Sequence, residues 1–178
     1  KVKIVLAGEG ADELFAGYAY YGNYRTGETL HEELLSTIEG MHISGLQRVD
    51  RIAGAHGIEP RLPFLDLDVV ELALALPPEW KLLGPDRPEK WMLRRAFDGW
   101  LPDDILWRRK EKFGEGTGMN EVLRAHFEHE VTEAELQQEA SAVEPPLNSR
   151  EELAYYRIFT QTFPGLDADR VVGRSIET

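Results

Sequence analysis

The stretch that decides the fold is VKIVLAGEGADE, residues 2–13. Residues 2–7 form a short apolar run with β-branched side chains that stops at a glycine, which is the pattern of a buried parallel strand. The acidic residues that follow open a helix, which we expect to continue through Tyr18 and Tyr21. Small residues after a strand allow a ligand to approach the backbone, and free N–H groups at a helix start attract anions. The stretch therefore predicts a place for a phosphate or an adenosine.

Most of the remaining chain has helical spacing of apolar residues. The helical segments are residues 29–39, 66–76 and 149–163. Asp66 and Ser149 are the expected N-caps of two of them, and prolines follow both. No later segment reads as a second strand, so the fold class is mainly α with one short N-terminal parallel-type strand. Because parallel strands lie inside larger sheets, we expect the strand partners to lie before residue 1.

Two connecting segments have other expected structures. Residues 83–88 are rich in turn-forming residues and predict a tight connection. Residues 132–148 are acidic and polar and end in two prolines, so we expect a surface excursion or a partly ordered linker there.

The composition limits the classes of function. With 178 residues, one domain over residues 1–178 is the default expectation. The formal net charge of -12 argues against nucleic-acid binding. The absence of cysteine excludes disulfides and thiolate chemistry, and no run has the length of a membrane span or the pattern of a signal peptide. We therefore expect a cytoplasmic protein with no membrane partner.

The carboxylates of Glu9, Asp12 and Glu13 would repel a bare phosphate. Mg²⁺ resolves this conflict if it bridges a carboxylate and the phosphate oxygens, which is its usual arrangement. The structural alternative is that acids in a first helical turn only complement the helix dipole, while the glycines only form a turn. Spacing alone leaves both interpretations open.

A second candidate segment is HGIEPRLPFLD, residues 56–66. Its two prolines hold the chain extended, so Glu59 and Arg61 are displayed from a rigid support and can line a pocket. The alternative is a structural ion pair between these two residues, with Phe64 and Leu65 filling the core.

A third candidate is the basic segment WRRKEKF, residues 107–113, which precedes the glycine-rich residues 114–118. A lysine ammonium is a compact charge that suits phosphate, and a mobile glycine loop can close over a ligand. The alternative is an ordinary solvated face. The segment favours a small anionic ligand over a long polyanion.

Taken together and in order, these segments resemble the synthetase domain of the glutamine-hydrolysing asparagine synthetase family. Residues 6–18 resemble that family's LSGEGADELFGGY, and residues 48–66 resemble its RxDR and AHGLExRxPFLD blocks. Residues 90–97 and 101–113 resemble its KxxLRxA and LPxx(I/V)xxRxKxxF blocks, and residues 155–159 with 172–174 resemble its C-terminal end. The resemblance covers nearly the whole chain.

The resemblance implies the C-terminal portion of an adenine-nucleotide α-hydrolase-like (PP-loop) α/β domain. It implies an enzyme that uses ATP and Mg²⁺ to adenylate the side-chain carboxylate of aspartate and then amidates it with glutamine-derived ammonia. By motif, backbone groups of Ala7 and Gly8 contact the nucleotide and Asp12 holds the metal. Glu9 handles the proton of ammonia, and Lys110 stabilises the departing pyrophosphate. Glu59 and Arg61 support the substrate side of the pocket.

The chain also departs from the family pattern. Ala7 replaces the usual serine and Ala16 the usual glycine. The SGGxDS pyrophosphate loop and the cysteine glutaminase domain do not occur in these 178 residues, so we expect a fragment that is inactive alone. The alternatives are a β-lactam-synthetase-like enzyme, which has tyrosine at the position of Glu9, or a non-catalytic remnant. An orphan strand also predicts a homodimer formed through residues 2–7.

Overall fold

A computed structural model describes residues 2–112 and 116–171. The chain divides into two compact units, Lys1–Arg109 and Lys110–Thr178. Most of the described residues are helical, which confirms the mainly α class. The expectation that residues 1–178 form one domain stays a prediction.

The first unit contains a parallel pair of strands, β1 (Ile4–Leu6) and β2 (Glu59–Arg61), in which Ile4 lies opposite Glu59 and Leu6 opposite Arg61. The expectation of a single strand was therefore wrong. Pro60 made the second strand hard to predict from the sequence, because proline lacks the N–H that pairs neighbouring strands and therefore argues against a strand assignment. Glu59 N–H donates to the carbonyl of Lys3 at 2.8 Å, and Ala7 N–H donates to the carbonyl of Arg61 at 3.0 Å. These bonds leave Pro60 at a position that needs no N–H toward β1.

Six short or medium helices complete the first unit. They are α1 (Ala11–Leu14), α2 (Gly27–Gly40), α3 (Gly45–Ala55), α4 (Leu67–Ala75), α5 (Trp91–Ala96) and α6 (Asp103–Leu106). Single 3₁₀ turns lie at Ala19–Asn23, Met41–Ile43, Pro63–Leu65 and Pro78–Trp80. Asp66 caps α4 by accepting from the N–H of Asp68, as expected. The predicted turn at residues 83–88 is confirmed by paired backbone bonds between Gly84 and Arg87, each 3.0 Å.

The first helix is shorter than the sequence predicts. It ends after Leu14 because Ala16 takes a left-handed conformation, with φ of 53°, and Tyr18 and Tyr21 then belong to the following 3₁₀ segment or its start. This turn carries Ala16 and Tyr21 into a buried cluster with Leu30 and Leu34 of α2. The cluster anchors the site-bearing loop to the longest helix of the unit.

The second unit is built from α7 (Met119–Glu130), α8 (Glu133–Glu139), α9 (Arg150–Thr162) and α10 (Ala168–Val171), with a 3₁₀ turn at Ala140–Ala142. Ser149 caps α9 by accepting from the N–H of Glu152, as expected. The core of this unit is formed by apolar side chains of α7 and α9 and of the segments that follow α7 and α8, namely Phe127, Val131, Val143, Leu147, Leu153 and Ala154.

The expectation of a surface excursion or linker at residues 132–148 was wrong for Glu133–Glu139, which form α8. Thr132 and Glu135 make a capping box, in which Thr132 Oγ1 accepts from the N–H of Glu135 and Glu135 Oε2 accepts from the N–H of Thr132. Arg157 of α9 donates to Glu139 at 2.6 Å and to Glu135 at 3.0 Å. The acidic residues are therefore helix caps and ion-pair partners.

Candidate active site

The carboxyl end of β1 and the carboxyl end of β2 lie side by side. Ala7 is bonded to the carbonyl of Arg61, so the predicted nucleotide contacts at Ala7 and Gly8 begin where the predicted substrate residues end. In α/β proteins, ligands bind outside the carboxyl ends of parallel strands. The structure thus brings together two motifs that are about fifty residues apart in the sequence.

The two glycines of the motif have different structural surroundings. A side chain at Gly10, where φ is 94°, would lie 2.5 Å from Leu65 Cδ2, so packing and conformation both require glycine there. A side chain at Gly8 would meet nothing within 4 Å. Gly10 is therefore a structural glycine, while the open space beside Gly8 allows a ligand to approach the backbone.

Glu9 lies against the first turn of α3. Its Oε1 is 3.6 Å from Arg48 Nη2, and its side chain is 24% exposed. Its Oε2 is 3.1 Å from the place where a Cβ would lie on Gly45. The missing side chain of Gly45 and the guanidinium of Arg48 therefore define the position of this carboxylate.

Asp12 forms an ion pair with Lys90, with 3.0 Å between Oδ1 and Nζ, and both side chains are 22% exposed. Gly17 is required beside it, because a Cβ on Gly17 would overlap the carboxylate. Gly17 N–H also donates to the carbonyl of Asp12 at 2.8 Å. Asp12 is thus held from three directions: by its helix, by Gly17 and by Lys90.

The carboxylates at the end of β1 would need a bound phosphate group to complete a metal site. Within residues 2–112 and 116–171, no three histidine or carboxylate side chains converge on one point. Mg²⁺ is commonly held by one or two carboxylates together with substrate phosphates. Asp12 would hold such an ion only together with a phosphate, and its metal role stays a prediction.

Glu13 has a structural role. It is buried, and Tyr18 Oη donates to its Oε1 at 2.5 Å. Burial, followed by the hydrogen bond to Glu13, raises the pKa of Tyr18 well above its usual range. The tyrosine therefore stays a neutral donor to the carboxylate at physiological pH.

Glu59 and Arg61 form an exposed ion pair, with 2.9 Å between Arg61 Nε and Glu59 Oε1. Leu65 packs against Gly10, and the Phe64 ring contacts Phe15 edge-on at 6.3 Å. The ion pair agrees with the structural alternative for the segment, whereas Phe64 and Leu65 are only half-buried. The pair lies on β2 beside the end of β1, and its substrate-side role stays a prediction.

Lys110 is the first residue of the second unit and is half-buried in an irregular segment. Phe113 and the start of the predicted glycine loop, residues 114–115, lie outside the described residues, as do residues 172–174. The predicted roles of Lys110 and of that loop stay predictions.

Three residues of the site region were not singled out from the sequence. Arg48 pairs with Glu9, Lys90 pairs with Asp12, and Arg94 bonds to three backbone carbonyls near these groups. All three lie inside the blocks that carry the family resemblance, which was the available signal. Arg48 and Lys90 have partners far away in the sequence, so spacing could not assign them a contact.

None of the helices in the described part of the chain combines the length and the apolarity needed to cross a bilayer.

Comparison with known proteins supports the resemblance. The sequence matches the asparagine synthase family over residues 1–28 and 22–174. It is 40% identical over 176 residues to the glutamine-hydrolysing asparagine synthetase of Sandersonia aurantiaca, covering 94% of this chain and 34% of that protein. A probable asparagine synthetase of Schizosaccharomyces pombe is 37% identical over 182 residues, covering 96% and 33%.

Asparagine synthetase 3 of Arabidopsis thaliana is 41% identical over 175 residues, covering 92% of this chain and 30% of that protein. The chain thus spans about a third of the length of the curated relatives that it matches. The motif order, the strand-end geometry and these matches agree, and the chain belongs to the asparagine synthase family of ligases.

Proposed function

We propose that this chain forms part of the site of an ATP-dependent ligase that converts aspartate to asparagine. The observation that carries the proposal is the strand end at which Ala7 is bonded to Arg61 of β2 and is followed directly by Gly8, which has open space beside its backbone. The family and the names of the relatives supply the reaction class. The proposed domain is a PP-loop α/β domain, of which β1 and β2 form one part.

The reaction needs two displacements. An oxygen of the aspartate side-chain carboxylate attacks the α-phosphorus of ATP, and pyrophosphate leaves. Ammonia from glutamine then attacks the activated carbonyl carbon, and the carbon–oxygen bond to AMP breaks as asparagine forms. Adenylation is required because a free carboxylate lacks a good leaving group.

Glu9 is the proposed acceptor of the proton that ammonia loses on attack. Its carboxylate is 24% exposed, so it is accessible, while Arg48 and the space left by Gly45 restrict its orientation. A restricted but accessible carboxylate is what proton transfer to a bound intermediate requires.

Asp12 is the residue that would hold a Mg²⁺ ion, which would supply positive charge against the phosphates. The backbone at Ala7 and Gly8 is the proposed nucleotide contact, and Lys110 the proposed cation for pyrophosphate. We propose that Glu59 and Arg61 line the aspartate-binding side of the pocket. There, either side chain can pair with an oppositely charged group of the amino acid.

Binding to the purified chain tests the nucleotide proposal. ATP is titrated with and without Mg²⁺ and followed by ligand-observed NMR. Asp12→Asn should remove the gain in affinity that Mg²⁺ provides, whereas Asp50→Asn, on an exposed carboxylate paired with Arg51, should not change it. Equal behaviour of the two variants would contradict the role of Asp12.

The chemistry is tested in a chimaera in which the chain replaces the matching segment of the Sandersonia aurantiaca protein. Asparagine formation and ATP–pyrophosphate exchange should require Glu9, with Glu28→Gln of α2 as the control variant. We expect the chain alone to show no exchange, and exchange by it would contradict the proposal that it supplies only part of the site. A β-lactam-type reaction is the second candidate, and Glu9 in place of tyrosine argues against it.

We also propose that the chain associates through β1. Val2 and Leu6 are 70% and 75% exposed, and β2 pairs with only one edge of β1 within the described residues. An exposed apolar edge favours strand pairing with a second copy. Light scattering should show a concentration-dependent dimer that Leu6→Lys abolishes, and a constant monomeric mass would contradict this.

A further inference from the structure

The guanidinium of Arg94 lies between two segments of the first unit and donates to both. Its Nε donates to the carbonyl of Glu89 at 2.8 Å. Its Nη1 donates to the carbonyl of Leu106 at 2.6 Å and to that of Arg108 at 3.0 Å. Three backbone acceptors on one half-buried side chain are a structural clamp, because a planar guanidinium offers several donors in a fixed fork.

The first clamped segment carries Lys90. Lys90 has φ of 57°, a left-handed conformation that is unfavourable for a residue with a side chain. Arg94 holds the carbonyl just before it, and Lys90 N–H donates to the carbonyl of Ala16 at 3.2 Å. These bonds fix the direction of the Lys90 side chain, which ends 3.0 Å from Asp12.

The second clamped segment is the peptide that leads to the basic residues. The carbonyls of Leu106 and Arg108 flank Trp107, whose ring lies 5.5 Å from that of Trp91. Arg94 therefore ties the ring pair and the entry to the basic segment to the same helix, α5, that begins directly after Lys90.

We propose that Arg94 is a positioning residue of the candidate active site, which orients Asp12 through Lys90. The inference rests on the proposed function, since it assigns Arg94 a part in metal-dependent nucleotide binding. Arg94 donates to the carbonyl that precedes Lys90, and Lys90 pairs with Asp12, so the effect of Arg94 on Asp12 passes through Lys90.

The neighbouring Arg95 provides a matched control. It lies on the same helix and carries the same charge, but it is exposed and pairs with Asp98 at 2.6 Å and with the Trp91 ring at 5.6 Å. Arg94→Gln and Arg95→Gln therefore remove the same charge from adjacent positions, and only the first removes the clamp.

The experiment uses the chain itself and two measurements. Amide hydrogen exchange at Lys90 reports the clamp directly, and Arg94→Gln should accelerate it about fivefold or more. The ATP dissociation constant, measured with and without Mg²⁺, reports the site. Arg94→Gln should weaken binding about fivefold with Mg²⁺ and less than about twofold without it. Arg95→Gln should change neither.

Each other outcome overturns the inference in a distinguishable way. Equal effects of Arg94→Gln and Arg95→Gln would show a general charge effect. Faster exchange with unchanged Mg²⁺-dependent affinity would show a purely structural clamp, provided that Asp12→Asn still lowers that affinity. If Asp12→Asn also leaves the Mg²⁺-dependent affinity unchanged, the result contradicts the proposed function, and the positioning role of Arg94 that rests on it is contradicted as well.

Discussion

Lys90 and Ala16 are joined by a backbone hydrogen bond of 3.2 Å, and both are non-glycine residues with positive φ. Left-handed conformations are costly for residues with a side chain and persist where the surrounding structure enforces them. Here the bond connects the loop that carries Asp12 with the segment that carries its ion-pair partner. The strain is thus located where the candidate site is assembled.

Ala16→Gly should cost less stability than the same change elsewhere in the core. Glycine relieves the left-handed strain of about 1 kcal/mol, which offsets the lost methyl group of about 0.8 kcal/mol. The control is Ala73→Gly in α4, where the alanine is equally buried but helical. We expect Ala73→Gly to be at least about 1 kcal/mol more destabilising in urea unfolding. Equal losses would argue against strain at Ala16.

Gly8→Ala and Gly10→Ala should separate ligand binding from stability. Gly10→Ala should destabilise the chain by about 2 kcal/mol or more, because the methyl group meets Leu65 and φ is left-handed. Gly8→Ala should change stability by less than about 0.5 kcal/mol, since the space is open. It should nevertheless weaken ATP binding. Unchanged ATP binding in Gly8→Ala would show that Gly8 is not part of the nucleotide site.

Lys81 should make stability depend on pH above neutrality. It is buried, its Nζ donates to the carbonyl of Ala73 near the end of α4 at 2.6 Å, and burial lowers its pKa from 10.5 to about 8. The unfolded chain therefore binds more protons between pH 8 and 10.5, so stability rises with pH across this window.

Relative to Lys81→Met, the unsubstituted chain should gain about 2 kcal/mol between pH 7.5 and 9.5 in urea titrations. Lys3→Met, at an exposed position, serves as the control and should show no such trend. A constant difference between the chain and Lys81→Met would mean that Lys81 keeps its ordinary pKa in the fold.

Glu135 should contribute stability that is lost in acid. Hydrogen bonds from the side chain and backbone of Thr132, and then from Arg157, lower the pKa of Glu135 from 4.5 to about 2. A lowered pKa gives stability that is complete above pH 4.5 and declines as the pH falls toward 2. The advantage over Glu135→Gln should therefore disappear across this range. Glu133→Gln, at a side chain that is 64% exposed, is the control variant.

Local patterns were sufficient for three of the helices. The spacing at residues 29–39, 66–76 and 149–163 and the caps at Asp66 and Ser149 appear in the structure as α2, α4 and α9. The same logic could have found α8, because Thr132 followed three residues later by Glu135 is a capping-box signal. Its acidic composition led to the wrong expectation of a linker.

Local sequence patterns could not predict the contacts between distant segments, such as the pairing of β1 with β2. Pro60 hid β2, and Ala16 ended α1 early through a backbone conformation that alanine rarely adopts. The pairing of Asp12 with Lys90 joins residues from separate blocks, and no periodicity links them. The sequence could identify which motifs belong to the site, while the contacts inside it required the fold.

The parallel register of β1 and β2 has a consequence for the order of folding. Two strands that run in the same direction cannot be joined by a tight turn, and the pairing of Leu6 with Arg61 closes a long loop of chain. Such closure is entropically costly and slow compared with helix formation. We therefore expect the helices between the strands to form first and Gly8 to meet the end of β2 late. During synthesis, the site cannot exist until the polypeptide has emerged beyond Arg61.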